Sequence, residues 1–227
     1  MGQKRDLRRV DGVATRVLSS LDSWRSLANL PLAWIVRLSD QRELVQADVA
    51  AWLSVLHSDD GAHGAHSLLY AFSEFRSLYY HRLSNGNATG ALASRLARHI
   101  WKPTSGLTIS TREIGGGLFI AHGHATCLAA EQIGRNCWIH HGVTLGWDYR
   151  ASRGPIIGDG VFIGTGAAVL GEVTVGDGAR IGANAVVLCD VPAGATAVGA
   201  PARILPAAEA ATVTDADLLA LREGLLD

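Results

Sequence analysis

Aliphatic residues recur every six positions through the C-terminal half of this chain. Ile133, Ile139 and Leu145 keep one phase, and Ile157, Ile163, Val169, Val175, Ile181 and Val187 continue it. A period of six is neither the 3.6 of a helix nor the 2 of a half-buried strand. It predicts a parallel β-helix, in which three short hexapeptide sides make one triangular coil. The aliphatic residue of each hexapeptide points inward and stacks on its counterpart one coil away. Small residues such as Gly164, Gly176 and Gly182 let the chain turn at the corners. One coil cannot bury its own apolar face, so stability grows as coils stack.

A chain of 227 residues with 48% hydrophobic content can bury a substantial core in one or two domains. Its net charge of −1 offers no electrostatic case for nucleic acid or an anionic membrane. The opening MGQKRDLRRVDG is charged and lacks the apolar stretch of a secretory signal. Position 6 is Asp, so the myristoylation pattern is not met. No run of 18 or more apolar residues occurs to span a bilayer. Cys127, Cys137 and Cys189 are scattered, without metal-ligand spacing. They read as reduced thiols buried as small hydrophobes in a cytoplasmic protein.

Three regions follow: residues 1–104 helical, 105–205 coils, 206–227 a tail. Leu18, Leu21, Trp24 and Leu27 have helical spacing. Asp48 to Leu56 reads as a second helix with Asp48 in its first turn. His57 to His66 is a loop by its Gly, Asp and His content. Leu68 to Leu83 reads as one apolar helix, and Ala91 to Trp101 as another, which Pro103 stops. In the coils, Ile114 and Ile120 sit one residue out of phase with Ile133, so the chain distorts between Ala121 and Gln132. GWDYRASRGP, residues 146–155, lacks the repeat and reads as a loop thrown out of the wall, a common binding surface on solenoids.

The segments IGGGLFIAHG, IGRNCWIHHGVTLG, IGDGVFIGTGAAVLGEVTVGDGARIGANAVV and VGAPARI resemble the hexapeptide-repeat acyltransferases. The nearest group is the serine acetyltransferases, with relatives that O-acetylate sugars. Upstream, SEFRSLYYHRL resembles the last long helix before the coils in that group. The resemblance implies a left-handed parallel β-helix with an N-terminal all-α domain. It implies a homotrimer or dimer of trimers with active sites between neighbouring β-helices. The activity implied is acetyl transfer from acetyl-CoA to a hydroxyl, with no metal and no covalent enzyme intermediate.

Direct transfer needs a base for the acceptor proton, donors for the oxyanion and two substrates held together. Histidine suits the first task at neutral pH. His122 follows Ile114 by eight residues, the interval at which the resembling enzymes carry their catalytic His. His124 competes, because His-Ala-Thr occurs around that residue in many serine acetyltransferases. His140 and His141 lie on a regular coil, where a stacked or solvated residue is the plainer reading of each. The resemblance places pantetheine along a groove lined by Gly146, Trp147, Gly164, Thr165, Gly182 and Ala183, with Arg203 near the adenosine phosphates. Each of those glycines is also a corner of the coil. Arg153 fits an acidic part of the acceptor, and Asp59 and Asp60 match an acidic loop near the acceptor pocket.

Three departures from the group bear on the acceptor. The Asp that orients the catalytic His on the preceding coil is missing from Leu107-Thr108-Ile109-Ser110, where only Thr108 or Ser110 could bond the ring. The Asp directly before that His is Ala121, and an Arg-His-Pro of the extruded loop is Arg153-Gly154-Pro155. These leave acetyl transfer in place and open the acceptor to serine, another small hydroxy compound or a sugar. A non-catalytic β-helix scaffold is the reading from another class. A zinc carbonic anhydrase of the same fold would need three His, and His122, His124 and His141 lack its spacing.

Overall fold

The computed structural model describes residues 30–56, 65–147 and 152–206. The helical pattern over Leu18–Leu27, Asp59 and Asp60, and residues 207–227 lie outside them. Among the described residues, five α-helices precede the coils: α1 (Leu30–Ile35), α2 (Arg42–Val55), α3 (Ala65–Ala71), α4 (Ser73–Asn85) and α5 (Ala88–Ile100). Three parallel sheets follow as the faces of a prism. Face A stacks Leu107–Ile109, Thr126–Leu128, Thr144–Gly146, Ala168–Leu170 and Val186–Val187. Face B stacks Glu113–Ile114, Gln132–Ile133, Ile156–Ile157 and Thr174–Val175. Face C stacks Phe119–Ile120, Trp138–Ile139, Phe162–Ile163, Arg180–Ile181 and Thr196–Val198, closed by an antiparallel Arg203–Leu205.

The six-residue period is the spacing between faces. Ile133 pairs with Ile157 and Ile157 with Val175 on face B, while Ile139, Ile163 and Ile181 pair in series on face C. Leu128, Leu145, Val169 and Val187 form the third column. These side chains are buried almost completely. Each contributes roughly 1.5–3 kcal/mol relative to exposure, so the columns supply most of the prism's cohesion.

The two irregularities have distinct causes. From Ile120 to Leu128 the chain takes eight residues, two more than a side needs, and from Leu128 to Ile133 only five. The one-residue phase slip is the difference, and the excess sits at residues 121–125. From Leu145 to Ile157 it takes twelve, one hexapeptide more than a side needs, so the phase is kept.

The helical region differs from expectation at two points. Asp48 is not in a first turn. It lies in the middle of α2, buried, and receives Arg82 Nε and Nη2 at 3.0 and 3.1 Å. It also accepts the backbone N–H groups of Gly117 and Leu118, at 2.8 and 3.1 Å. Arg82 donates onward to the carbonyls of Ile114 and Gly115. This ion pair therefore ties α2 and α4 to the first coil, and Trp52 Nε1 bonds Leu118 O at 2.9 Å beside it. The predicted helix over Leu68–Leu83 is two helices. Phe72 breaks it with extended backbone (φ −118°, ψ 111°), and its ring packs on Trp52. The carbonyls freed at the end of α3 accept Arg76 Nη1, from Leu69 at 2.6 Å and from Tyr70 at 3.0 Å. Cys137 is a buried hydrophobe, as expected, but Cys127 is half-buried and Cys189 exposed.

Two measurements follow from this packing. Asp48→Ala strands a buried guanidinium and two amides, and should cost about 3–5 kcal/mol, lowering Tm by roughly 10 °C. Thermal unfolding that moves by less than about 2 °C would contradict the tie. His81, bonded to Asn85 at 2.9 Å, has its pKa pushed down to about 4, first by burial and then by the Arg82 charge. The unfolded imidazole binds its proton near pH 6.5, so between 6.5 and 4 the unfolded state holds more protons and stability falls with pH. The loss, on the order of 2 kcal/mol, should shrink in His81→Gln when urea midpoints are compared at pH 7 and pH 4.5.

Candidate active site

The chain passes from face C to face A at residues 121–125, 140–143, 164–167 and 182–185, and turns back within face C at 199–202; these turns stack along one edge of the prism. Backbone bonds fix their spacing. Gly142 N donates to His124 O, Gly166 N to His141 O and Asn184 N to Thr165 O, at 2.8, 3.0 and 2.8 Å.

The first turn of this edge is contorted. His122, Gly123 and Ala125 have φ of +62°, +36° and +51°, and His124 N bonds His122 O two residues back. Left-handed backbone at a non-glycine residue costs on the order of 1 kcal/mol and concentrates at functional sites. The two-residue excess pushes His122 and His124 out into solvent while Gly123 stays buried. A Cβ on Gly123 would meet Glu74 Cγ at 2.9 Å, so the first turn of α4 lies directly against this corner.

Of the two candidates, His122 meets a second imidazole. Its ring lies edge-to-face against that of His141, centroids 5.9 Å apart. Neither Thr108 nor Ser110 bonds it. His141 is half-buried, and its Nδ1 is buried without a hydrogen-bond partner. His140 belongs to another assembly. It stacks on Trp138 (6.0 Å, 17°) and meets Phe162 at 5.2 Å, in an aromatic row that continues to Phe119 and Arg180. Burial first, then the charges of His141 and His122, lower its pKa.

Below His141 the same edge carries Gly164, Thr165, Gly182 and Ala183. Gly164 is required there by coil spacing, since a Cβ would lie 2.8 Å from Ala183 N and 3.0 Å from Ile181 O. Arg203 is exposed at the foot of the edge, where it pairs with Val198 across the turn at 199–202. The edge thus gathers the imidazoles, a column of small residues and a terminal cation.

The other predicted residues lie elsewhere. Gly146 ends a face A strand and Trp147 follows it, so both mark the edge between faces A and B, away from the groove expected to contain them. Arg153 stands on the same edge, exposed beside Glu172. Ser152 anchors that limb through its N and Oγ to Glu172 Oε1, at 2.8 and 2.7 Å, and these bonds lower the carboxyl's pKa. Gly154 is buried under Trp147, whose Nε1 would lie 2.6 Å from an added Cβ. One chain therefore separates its candidate base and its candidate acceptor-binding Arg by the width of face A. Among the described residues no three His, Cys, Asp or Glu converge to hold a metal ion, and no helix is long and apolar enough to cross a membrane.

A prism of hexapeptide coils with an exposed imidazole above a small-residue groove is the architecture of a hexapeptide-repeat acyltransferase. Residues 154–189 match the family described as "Bacterial transferase hexapeptide (six repeats)". A serine acetyltransferase of Helicobacter pylori strain J99 is 39% identical over 161 residues, covering 66% of this chain and 92% of the relative. The serine acetyltransferase of Neisseria gonorrhoeae in complex with serine is 29% identical at a TM-score of 0.55, over 85% of this chain and 82% of that one. A serine acetyltransferase in complex with CoA is 29% identical at 0.53, over 77% and 73%. The chain belongs to the serine acetyltransferase family, and it is an acetyl-CoA-dependent O-acetyltransferase.

Proposed function

We propose that this protein transfers the acetyl group of acetyl-CoA to the hydroxyl of L-serine, with His122 as general base. The carrying observation is the strained C/A corner that aims His122 into solvent above the small-residue column. The serine and CoA complexes of the structural neighbours support both substrates. His122 takes the hydroxyl proton as the oxygen attacks the thioester carbonyl. The tetrahedral oxyanion collapses, the C–S bond breaks, and the imidazolium returns the proton to the departing thiolate. Nothing in this sequence needs a metal.

Pantetheine lies along Gly164, Thr165, Gly182 and Ala183, and Arg203 pairs with the adenosine phosphates. Arg153 grips the serine carboxylate by a bidentate pair, and the acidic Asp59 and Asp60 complement its ammonium in charge. The protein works as a homotrimer, or a dimer of trimers, in the cytoplasm. The geometry gives the reason. The A/B edge of one prism, with Gly146, Trp147 and Arg153, faces the C/A edge of the next, and the site is whole only between them. Residues 1–104 form a helical domain, 105–205 the acyltransferase domain and 206–227 a tail.

A sugar hydroxyl is the second reading, favoured by one observation: His122 meets an imidazole on the following coil, and the carboxylate that the family resemblance implies on the preceding coil is missing. Thiol release from acetyl-CoA decides between them when the protein is offered serine, homoserine and a sugar panel. Serine should be preferred by at least tenfold in kcat/KM. Preference for a sugar would move the acceptor, and no release with any would leave a scaffold. His122→Ala should lower turnover by about 10²–10⁴, and near-normal turnover there with loss in His124→Ala would reverse the assignment.

A further inference from the structure

We infer that His141 is a positioning residue that takes the place of the missing orienting carboxylate, holding His122 in an imidazole pair. The inference rests on His122 as the base and goes further by naming what steadies it. Three observations carry it. The rings of His122 and His141 sit edge-to-face, with centroids 5.9 Å apart. The backbone holds them rigidly one coil apart, with Ala121 N bonded to Ile139 O and Gly142 N to His124 O, both at 2.8 Å. And His141 Nδ1 is buried without a partner.

A buried polar atom left unpaired costs about 1–3 kcal/mol, and such atoms in native proteins call for a specific cause. Here the partner arrives with the reaction. Closing the rings by about 1 Å brings a nitrogen of each to hydrogen-bond distance, near 3 Å. When His122 takes the acceptor's proton it becomes a double donor. One N–H then points at the reacting oxygen and sulfur, and the other is free for His141, which accepts as a neutral imidazole. The proton does not pass on to His141. It returns from His122 to the CoA thiolate as the C–S bond breaks, so His141 ends the cycle as it began.

A neutral acceptor fits the surroundings. The titratable groups near His141 are His122 from the contorted corner and His140 from its own coil; His124, whose carbonyl accepts Gly142 N, and Glu74, against Gly123, flank the corner. The next turn of the edge, with Gly164 and Thr165, brings no charge. Glu74 supplies the negative charge of the corner, on the side of Gly123.

Ring-nitrogen NMR of the full-length protein between pH 5 and 9 tests the pair without any substrate. His122 and His141 should titrate together in two shared steps. In His141→Leu, His122 should titrate in one step with its midpoint lowered by about one pH unit, because its imidazolium has lost an acceptor. His141→Gln keeps an acceptor oxygen that does not titrate, so it should give a single step with the midpoint restored. In thiol release, His141→Leu should lower kcat by roughly 10–100-fold with both KM values within about twofold, and His141→Gln should recover most of the loss. Identical His122 titration in wild type and both variants would overturn the pair, even with acetyl transfer intact. Shared titration without thiol release would uphold the pair and sink the proposed activity instead, so the two failures are distinguishable.

Discussion

The coil-on-coil stacking of inward aliphatic side chains is the constraint on which this molecule rests. Ile133, Ile157 and Val175, or Ile139, Ile163 and Ile181, can stack only if each coil returns to the same three directions. That demand sets the backbone spacing at every corner. It also confines irregularity to segments that begin and end in register. The twelve residues from Leu145 to Ile157 and the eight from Ile120 to Leu128 are the two places where a step between columns is longer than six among the described coils. The first holds the exposed Arg153 and the second the exposed His122.

The edges are therefore as informative as the faces. One edge collects His122, His141, Thr165 and Ala183 because each sits at the same position in its hexapeptide. Another collects Trp147 and Arg153. These two edges are separated by face A; the proposed trimer would bring unlike edges of neighbouring prisms together. The helical region serves this arrangement by bracing the first coil. Asp48 and Arg82 satisfy four backbone groups of residues 114–118. Glu74, at the head of α4, closes over Gly123. The strained corner is thus held from the helical side as well as by its neighbouring coil.

Much of this was legible in the chain because the period is local. The columns, the out-of-phase corner and the extruded loop follow from counting residues between aliphatic positions. The side chains that complete the corner were not legible in that way. Glu74 reaches Gly123 from almost fifty residues upstream, and no spacing along the chain encodes that contact. Asp48 read as a helix-start acid because Asp suits a first turn. Its partner Arg82 is 34 residues away, and burial of the pair is a tertiary event. Phe72 looked like part of one long apolar helix, since hydrophobic content cannot reveal a bend that packs a ring on Trp52. Along the chain His141 reads as a regular coil residue, no more marked for the pocket than His140. Its meeting with His122 became visible only once the two turns were stacked. Gly146 and Trp147 were grouped with the groove by resemblance, whereas counting from Leu145 puts them on the next edge.

The most direct test is a crystal structure with CoA bound. The pantetheine arm should lie along Gly164 to Ala183, its sulfur within about 4 Å of the His122 ring, with a second prism's Trp147 edge closing the cleft. CoA seated on another edge, or held by one prism alone far from His122, would contradict it.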